Sequence, residues 1–61
     1  MLIQLTNSRF EKFYLNADLI EQIYERQGST SEIKLTTGSY VNCIESPEKV
    51  AKIVEAKQDQ P

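Results

Sequence analysis

Few side chains in this sequence could carry out covalent chemistry. The 61 residues include one cysteine, Cys43, and no histidine, so neither a Ser-His-Asp nor a Cys-His catalytic arrangement can form within the chain. No residue pair offers both a nucleophile and a base, and a lone cysteine cannot build a structural zinc site. The sequence therefore predicts a protein that is not an enzyme and that requires neither a metal nor a cofactor.

The single cysteine has two interpretations. A reactive thiol needs a nearby positive charge that lowers its pKa, and no basic residue flanks Cys43 in the sequence. The alternative is a small buried hydrophobic side chain, which is how free cysteine most often behaves. We expect Cys43 to be buried and unreactive.

Three tyrosines and one asparagine are the best candidates for a partner-binding surface. Tyr14, Tyr24 and Tyr40 each combine an apolar ring with a polar tip, the property that enriches tyrosine at protein interfaces. Packing within a sheet is the alternative interpretation. Asn16 is either a recognition residue or a turn former bonded to the local backbone. We predict these four residues as the partner-binding site.

Charge and hydropathy exclude several classes of partner. Nine acidic and seven basic residues give a net charge of −2, which argues against nucleic acid or an anionic membrane surface as the main partner. No apolar run approaches the roughly 20 residues of a membrane-spanning helix, and no signal peptide is visible. The sequence therefore predicts a cytoplasmic protein with no membrane insertion, which binds another protein.

The elements that must position these residues follow from periodicity. Alternation of apolar and polar residues predicts four or five short antiparallel strands, over residues 2–6, 12–15, 20–26, 32–36 and 39–45. Residues 16–19 are predicted to form a turn, and Gln27 to Ser31 a flexible polar turn. Residues 19–26 also fit helical spacing, through Ile20, Ile23 and Tyr24, but eight residues suit a strand better.

One helix is predicted at the end of the chain. Ser46 can cap the first amides, and Pro47 suits the first helical position because its missing N–H costs nothing there. Val50, Ile53 and Val54 follow with helical spacing. We expect the helix to end near Lys57, so that residues 1–57 form a single domain and residues 58–61 a frayed tail.

The predicted fold class is α+β and mainly β, an antiparallel β-meander followed by one helix. Five strands spaced about 4.8 Å apart form a sheet about 20 Å wide, whereas one helix is only about 10 Å across. The helix alone cannot cover such a sheet, so the sheet must curl into a small barrel or pair with another copy. A chain this short buries only about 60% of its surface on folding, and self-association is a common remedy. We therefore expect a homo-oligomer.

Three blocks of the sequence, in order, resemble the FlbD family of small bacterial flagellar proteins, which includes the swarming protein SwrD. They are IQLT followed by FYLN, then LNADLIEQI, then IKLTTGSYV with ESPEKV, and together they cover Leu2 to about Lys57. The family pattern has a glycine in the first turn, where this chain has Phe10 or Glu11. The resemblance implies an accessory role in flagellar motility, with a motor or export component as the partner.

Two alternative functions remain open at this point. The second half of LytTR DNA-binding domains also combines short strands, a glycine hairpin and a capped helix, and nucleic-acid binding would require Arg9, Lys12, Arg26 and Lys34 to gather on one face. An assembly domain encoded by a phage or plasmid is the other. The sequence as a whole favours a non-enzymatic protein-interaction module that assists flagellar motility.

Overall fold

The computed structural model describes residues 1–58 and confirms a mainly β fold with one C-terminal helix. Its strands and helix are β1 (Leu2–Thr6), β2 (Lys12–Asn16), β3 (Ile20–Arg26), β4 (Thr30–Leu35), β5 (Tyr40–Cys43) and α1 (Pro47–Gln58). Short 3-10 turns, Ala17–Leu19 and Gln27–Ser29, lie on either side of β3.

The five strands form two antiparallel sheets and no closed barrel within residues 1–58. Strands β1 and β2 form one sheet, and the other has the order β3-β4-β5. The curled barrel offered as an alternative is therefore wrong, because the 3-10 turn at Ala17–Leu19 ends the ladder before β3 begins. The two sheets are linked by a backbone hydrogen bond from the N–H of Ile44, directly after β5, to the carbonyl of Thr6, the last residue of β1, at 2.9 Å.

The core lies between the inner faces of the two sheets and is closed by the helix. Ile3 and Leu5 are fully buried on β1, as their alternation predicts, and Ile33 is fully buried on β4. Val50 brings the helix onto this cluster and is itself fully buried. The buried hydrophobic residues are Ile3, Leu5, Leu15, Ile33, Leu35, Cys43 and Val50. Folding two narrow sheets together leaves the helix less apolar surface to cover than one wide sheet would.

A β-bulge in strand β3 explains why the sequence of this strand also fits helical spacing. The register passes from Ile20 opposite Leu35 to Gln22 opposite Lys34, so Glu21 is the extra residue of a β-bulge. Because a bulge shifts the alternation by one residue, Ile20 and Ile23 lie on the same face despite their spacing of three. The strand prediction is confirmed, and the helical spacing reflects this bulge.

The turn predicted over Gln27 to Ser31 is shorter in the structure. Gly28 and Ser29 both have positive φ, 71° and 59°, which reverses the chain within three residues. Thr30 and Ser31 therefore belong to β4, and Ser31 is almost fully buried. Its hydroxyl donates to the carbonyl of Glu45 at 2.7 Å, which satisfies the buried oxygen.

The predicted start of the helix is confirmed in detail. The Ser46 hydroxyl accepts a hydrogen bond from the N–H of Lys49 at 3.2 Å, and the helix begins at Pro47. It extends to Gln58, one residue into the predicted tail. The rest of that tail, residues 59–61, lies outside the described residues.

Candidate partner-binding surface

Two of the predicted tyrosines, Tyr24 on β3 and Tyr40 on β5, lie on the outer face of the three-stranded sheet. The register places Lys34 opposite Tyr40 on one side and opposite Gln22 on the other. The next row contains Tyr24, whose neighbour across the strands is Glu32. We call this surface the tyrosine face; its residues are Gln22, Tyr24, Glu32, Lys34, Tyr40 and Asn42.

Charges on the tyrosine face are paired locally. Lys34 Nζ contacts Glu21 Oε1 at 3.1 Å, and this carboxylate, together with Tyr40, raises the pKa of Lys34. Arg26 pairs with Glu32, and its guanidinium carbon lies 5.4 Å from the centre of the Tyr24 ring. The face therefore presents aromatic rings between neutralised charges, an arrangement suited to contact with a protein.

The other two predicted residues lie on the outer face of β2. Tyr14 is directly opposite Gln4, whose Nε2 donates to the Tyr14 hydroxyl at 3.5 Å, and Leu2 is the next outward residue on β1. Asn16 Oδ1 accepts a hydrogen bond from the N–H of Asp18 at 3.0 Å and so caps the 3-10 turn. This is the turn-forming chemistry weighed for Asn16, and it occupies the oxygen that a partner would contact.

The structure thus separates the four candidates into two pairs. Tyr24 and Tyr40 share the tyrosine face, whereas Tyr14 and Asn16 belong to the two-stranded sheet. The exposed fraction is 67% for Tyr14 and 55% for Tyr40. Both rings are therefore exposed in the single chain, and the interface interpretation of the tyrosines stays a prediction.

Phe10 is an exposed aromatic residue that the prediction of site residues did not include. It lies in the turn between β1 and β2 with an exposed fraction of 78%, the highest among the large hydrophobic residues exposed in residues 1–58. Its φ is 63°, a left-handed conformation that is uncommon for an aromatic side chain. Asn7 Oδ1 holds the turn by accepting the N–H groups of Arg9 at 2.9 Å and Glu11 at 3.0 Å. The ring is therefore presented on a well-bonded turn.

An open apolar groove lies between strand β3 and helix α1. Its volume is about 340 Å³, and it is lined by Ala17, Ile20, Ile23, Ala51, Val54 and Glu55. Strand β3 is an edge of its sheet, so the inner side chains Ile20 and Ile23 border the groove without a further strand beyond them. Glu55 is the one charged residue of the lining.

Cys43 is buried, as expected, with an exposed fraction of 2%. Burial raises the pKa of its thiol, and the nearby Glu45 carboxylate adds to this effect. A raised pKa keeps the thiol protonated and therefore a poor nucleophile. Within residues 1–58, no group of three or more His, Cys, Asp or Glu side chains is placed to hold a metal ion.

Comparison with known proteins identifies the family. The family model FlbD, described as flagellar and swarming motility proteins, matches residues 2–60. The chain belongs to the FlbD family. No curated protein and no solved structure gives a significant match. Membership indicates a role in flagellar or swarming motility.

The turn at Phe10 can now be related to the FlbD pattern. Of the two residues that could stand at the position of the pattern's glycine, the structure gives a positive φ to Phe10 and not to Glu11. Phe10 thus adopts a backbone conformation that glycine favours while it carries an aromatic side chain. An aromatic residue in a turn where the resemblance implies a glycine was the signal that could have identified Phe10. Among residues 1–58, the structure contains no helix that could span a membrane.

Proposed function

We propose that this FlbD-family chain is a non-enzymatic protein-interaction module of the cytoplasm that assists flagellar motility or motor function. Its partner would be a protein component of the flagellar motor or of the export apparatus. The observation that carries the proposal is the exposure of four large hydrophobic side chains, Leu2, Phe10, Tyr14 and Tyr40, in a chain of only 61 residues. Exposed aromatic residues on rigid elements are typical anchors of protein interfaces.

The tyrosine face supports contact with a protein more than with nucleic acid. Of the basic residues that would have to gather, Arg26 and Lys34 each pair with a carboxylate on this face. Arg9 and Lys12 belong to the turn and strand of the other sheet. A phosphate backbone would therefore find paired charges rather than a continuous basic surface. This distribution favours the protein-interaction proposal over the LytTR-like alternative.

A motility assay tests the proposal. The chain would be expressed in a flagellated bacterium from which the resident FlbD-family gene has been deleted, and the swarm expansion rate would be measured. We expect Tyr40→Ala to reduce expansion severalfold while the far-ultraviolet spectrum of the purified protein is unchanged, because Tyr40 is exposed and outside the core. Lys52→Ala, on the exposed side of helix α1, is the matched control.

Site-specific cross-linking identifies the partner class in the same strain. A photo-reactive amino acid at position 40 is expected to capture a flagellar motor or export component, and the same amino acid at position 52 is not. Capture of nucleic acid at position 40, or full motility of the Tyr40→Ala and Tyr24→Ala variants, would contradict the proposal.

A further inference from the structure

Phe10 and the apolar groove are two apolar features that the same chain leaves exposed to solvent. We propose that they are the two halves of one contact, in which Phe10 of one copy enters the groove of a second copy. The groove residues, defined above, are Ala17, Ile20, Ile23, Ala51, Val54 and Glu55. A contact between two different surfaces gives a head-to-tail assembly rather than a two-fold symmetric dimer.

The first argument is that Phe10 is presented for insertion. Its side chain is 78% exposed, and the turn that carries it is fixed by hydrogen bonds to Asn7. A fixed turn reduces the ordering cost of binding. The turn, closed by hydrogen bonds between Asn7 and both Phe10 and Glu11, holds Phe10 at a φ of 63° and leaves its aromatic ring in solvent. The ring therefore has the properties of an interface anchor.

The second argument is that the groove matches such a side chain in shape and polarity. About 340 Å³ of open space is enough for an aromatic ring, and five of the six lining residues are apolar. Small residues, Ala17 and Ala51, contribute to opposite walls from the 3-10 turn and the helix. A ring inserted between them would contact Ile20, Ile23 and Val54.

Charge complementarity selects a second copy as the occupant. Arg9 directly precedes Phe10, and Glu55 lines the groove. Neither side chain takes part in an ion pair within residues 1–58. Insertion of Phe10 into the groove of another copy would bring the guanidinium towards the carboxylate, so each copy carries both halves of the charge pair.

The topology prevents the same contact within one chain. The turn that carries Phe10 precedes β2, whereas Ala17 of the groove follows its last residue, Asn16. Five residues of extended strand separate the two ends by roughly 15 Å, and the fixed turn cannot fold back over that length. The contact must therefore be made between copies, and it would repeat until a ring closes or a free end remains.

Light scattering over a concentration range tests the contact directly. We expect the wild-type mass to rise above 7.0 kDa with concentration, and Phe10→Gly and Ala51→Arg each to weaken association by about tenfold or more. Ala56→Arg, which places the same side chain at an exposed helix position outside the groove lining, is the matched control and should associate like the wild type.

Mixing the two defective variants distinguishes this contact from any other. The Phe10→Gly chain retains an intact groove, and the Ala51→Arg chain retains an intact Phe10, so together they can form one contact but cannot extend it. We expect the mixture to give pairs of twice 7.0 kDa, while each variant alone remains monomeric. Arg9→Glu and Glu55→Arg should each weaken association and together restore it.

Three results would overturn the inference. One is a wild-type protein that stays monomeric up to millimolar concentration. Another is an assembly whose mass is unchanged by Phe10→Gly and by Ala51→Arg. The last is a mixture of these two variants that forms no pairs. None of these results depends on flagellar partners, so the self-contact can fail while the proposed motility function stands, and the reverse.

Discussion

The backbone N–H of Thr6 donates to Oε1 of Glu45 at 3.0 Å, and this bond joins the first strand to the connection before the helix. The neighbouring residue adds a second link, from the N–H of Ile44 to the Thr6 carbonyl. The Glu45 carbonyl in turn accepts the hydroxyl of Ser31. Glu45 therefore contacts both sheets at the point where helix α1 begins.

We predict that Glu45→Ala lowers the free energy of unfolding by about 1.5 to 3 kcal/mol, the range for a hydrogen bond to a charged group. Loss of the carboxylate leaves the backbone N–H of Thr6, which lies in a partly buried position, without its hydrogen-bond acceptor. Glu45→Gln should cost less because the amide oxygen can still accept the bond. Urea denaturation measures the difference. Glu25→Gln, an exposed acidic residue on β3, should change stability by less than about 0.5 kcal/mol.

The same carboxylate gives a pH dependence. Burial by itself would raise the pKa of Glu45, but hydrogen bonding, mainly from Thr6, outweighs burial and holds the pKa of this carboxyl below its usual range. A carboxylate with a lowered pKa contributes its stability above the unfolded value, and this contribution is lost as the pH falls through the folded pKa. We expect the wild type to lose more stability than Glu45→Gln on acidification from neutral pH, as measured by urea midpoints. Equal losses in the two proteins would contradict this assignment.

We predict that Phe10→Gly stabilises the monomer. The left-handed conformation costs a non-glycine residue about 1 to 2 kcal/mol, and glycine avoids this cost. The greater backbone freedom of glycine in the unfolded state offsets about half of that benefit. The net increase should be about 0.5 to 1 kcal/mol. Thermal unfolding at low protein concentration, where association does not contribute, measures it. Phe10→Ala keeps the strained backbone, so it should give no comparable increase.

Phe10→Ala separates two roles of the side chain, because it removes the ring and leaves the left-handed backbone in place. If the ring served only to stabilise the fold, its removal would lower stability. We expect instead that the stability of Phe10→Ala changes by less than about 0.5 kcal/mol while self-association falls, because the ring is exposed in the single chain. Loss of association without loss of stability is difficult to produce by general damage to the structure.

We predict that Cys43 reacts with a thiol reagent only when the protein opens. The thiol is buried, and burial raises its pKa, so both access and thiolate formation are suppressed. The labelling rate in native buffer should be at least about a hundredfold slower than in denaturant, and in Glu45→Ala it should rise about tenfold for each ~1.4 kcal/mol of stability lost. Rapid labelling of the native wild type would show that Cys43 is accessible.

Local patterns in the sequence determined most of the fold. Strand alternation predicted the inward residues Ile3 and Leu5, and Ser46 with Pro47 predicted the start of the helix. Both signals depend on neighbours a few residues away, and the structure confirms both. The prediction was less accurate at Ser31, which was assigned to the turn because serine, three residues after Gly28, is a turn-forming residue. Its hydroxyl can be buried because it donates to the carbonyl of Glu45, which is distant in the sequence.

The candidate binding surface was predicted in its residue types but not in its arrangement. Tyr24 and Tyr40 lie on the same face because of the register of three strands, whereas Tyr14 lies on another sheet. Asn16 behaves as the local turn former that its sequence allowed. Composition shows that tyrosines are present, but which of them share a face depends on cross-strand pairing over long separations in sequence.

The sequence by itself determined the absence of a histidine-based catalytic site, the alternating strands, the capped helix and the resemblance to the FlbD family. Only the tertiary structure decided that the strands divide into two sheets, that Phe10 is exposed on a turn with a positive φ, and that β3 and α1 border an open groove. The reason is physical: periodicity and capping act between near neighbours, whereas sheet division, exposure and groove shape result from contacts between residues far apart in the chain.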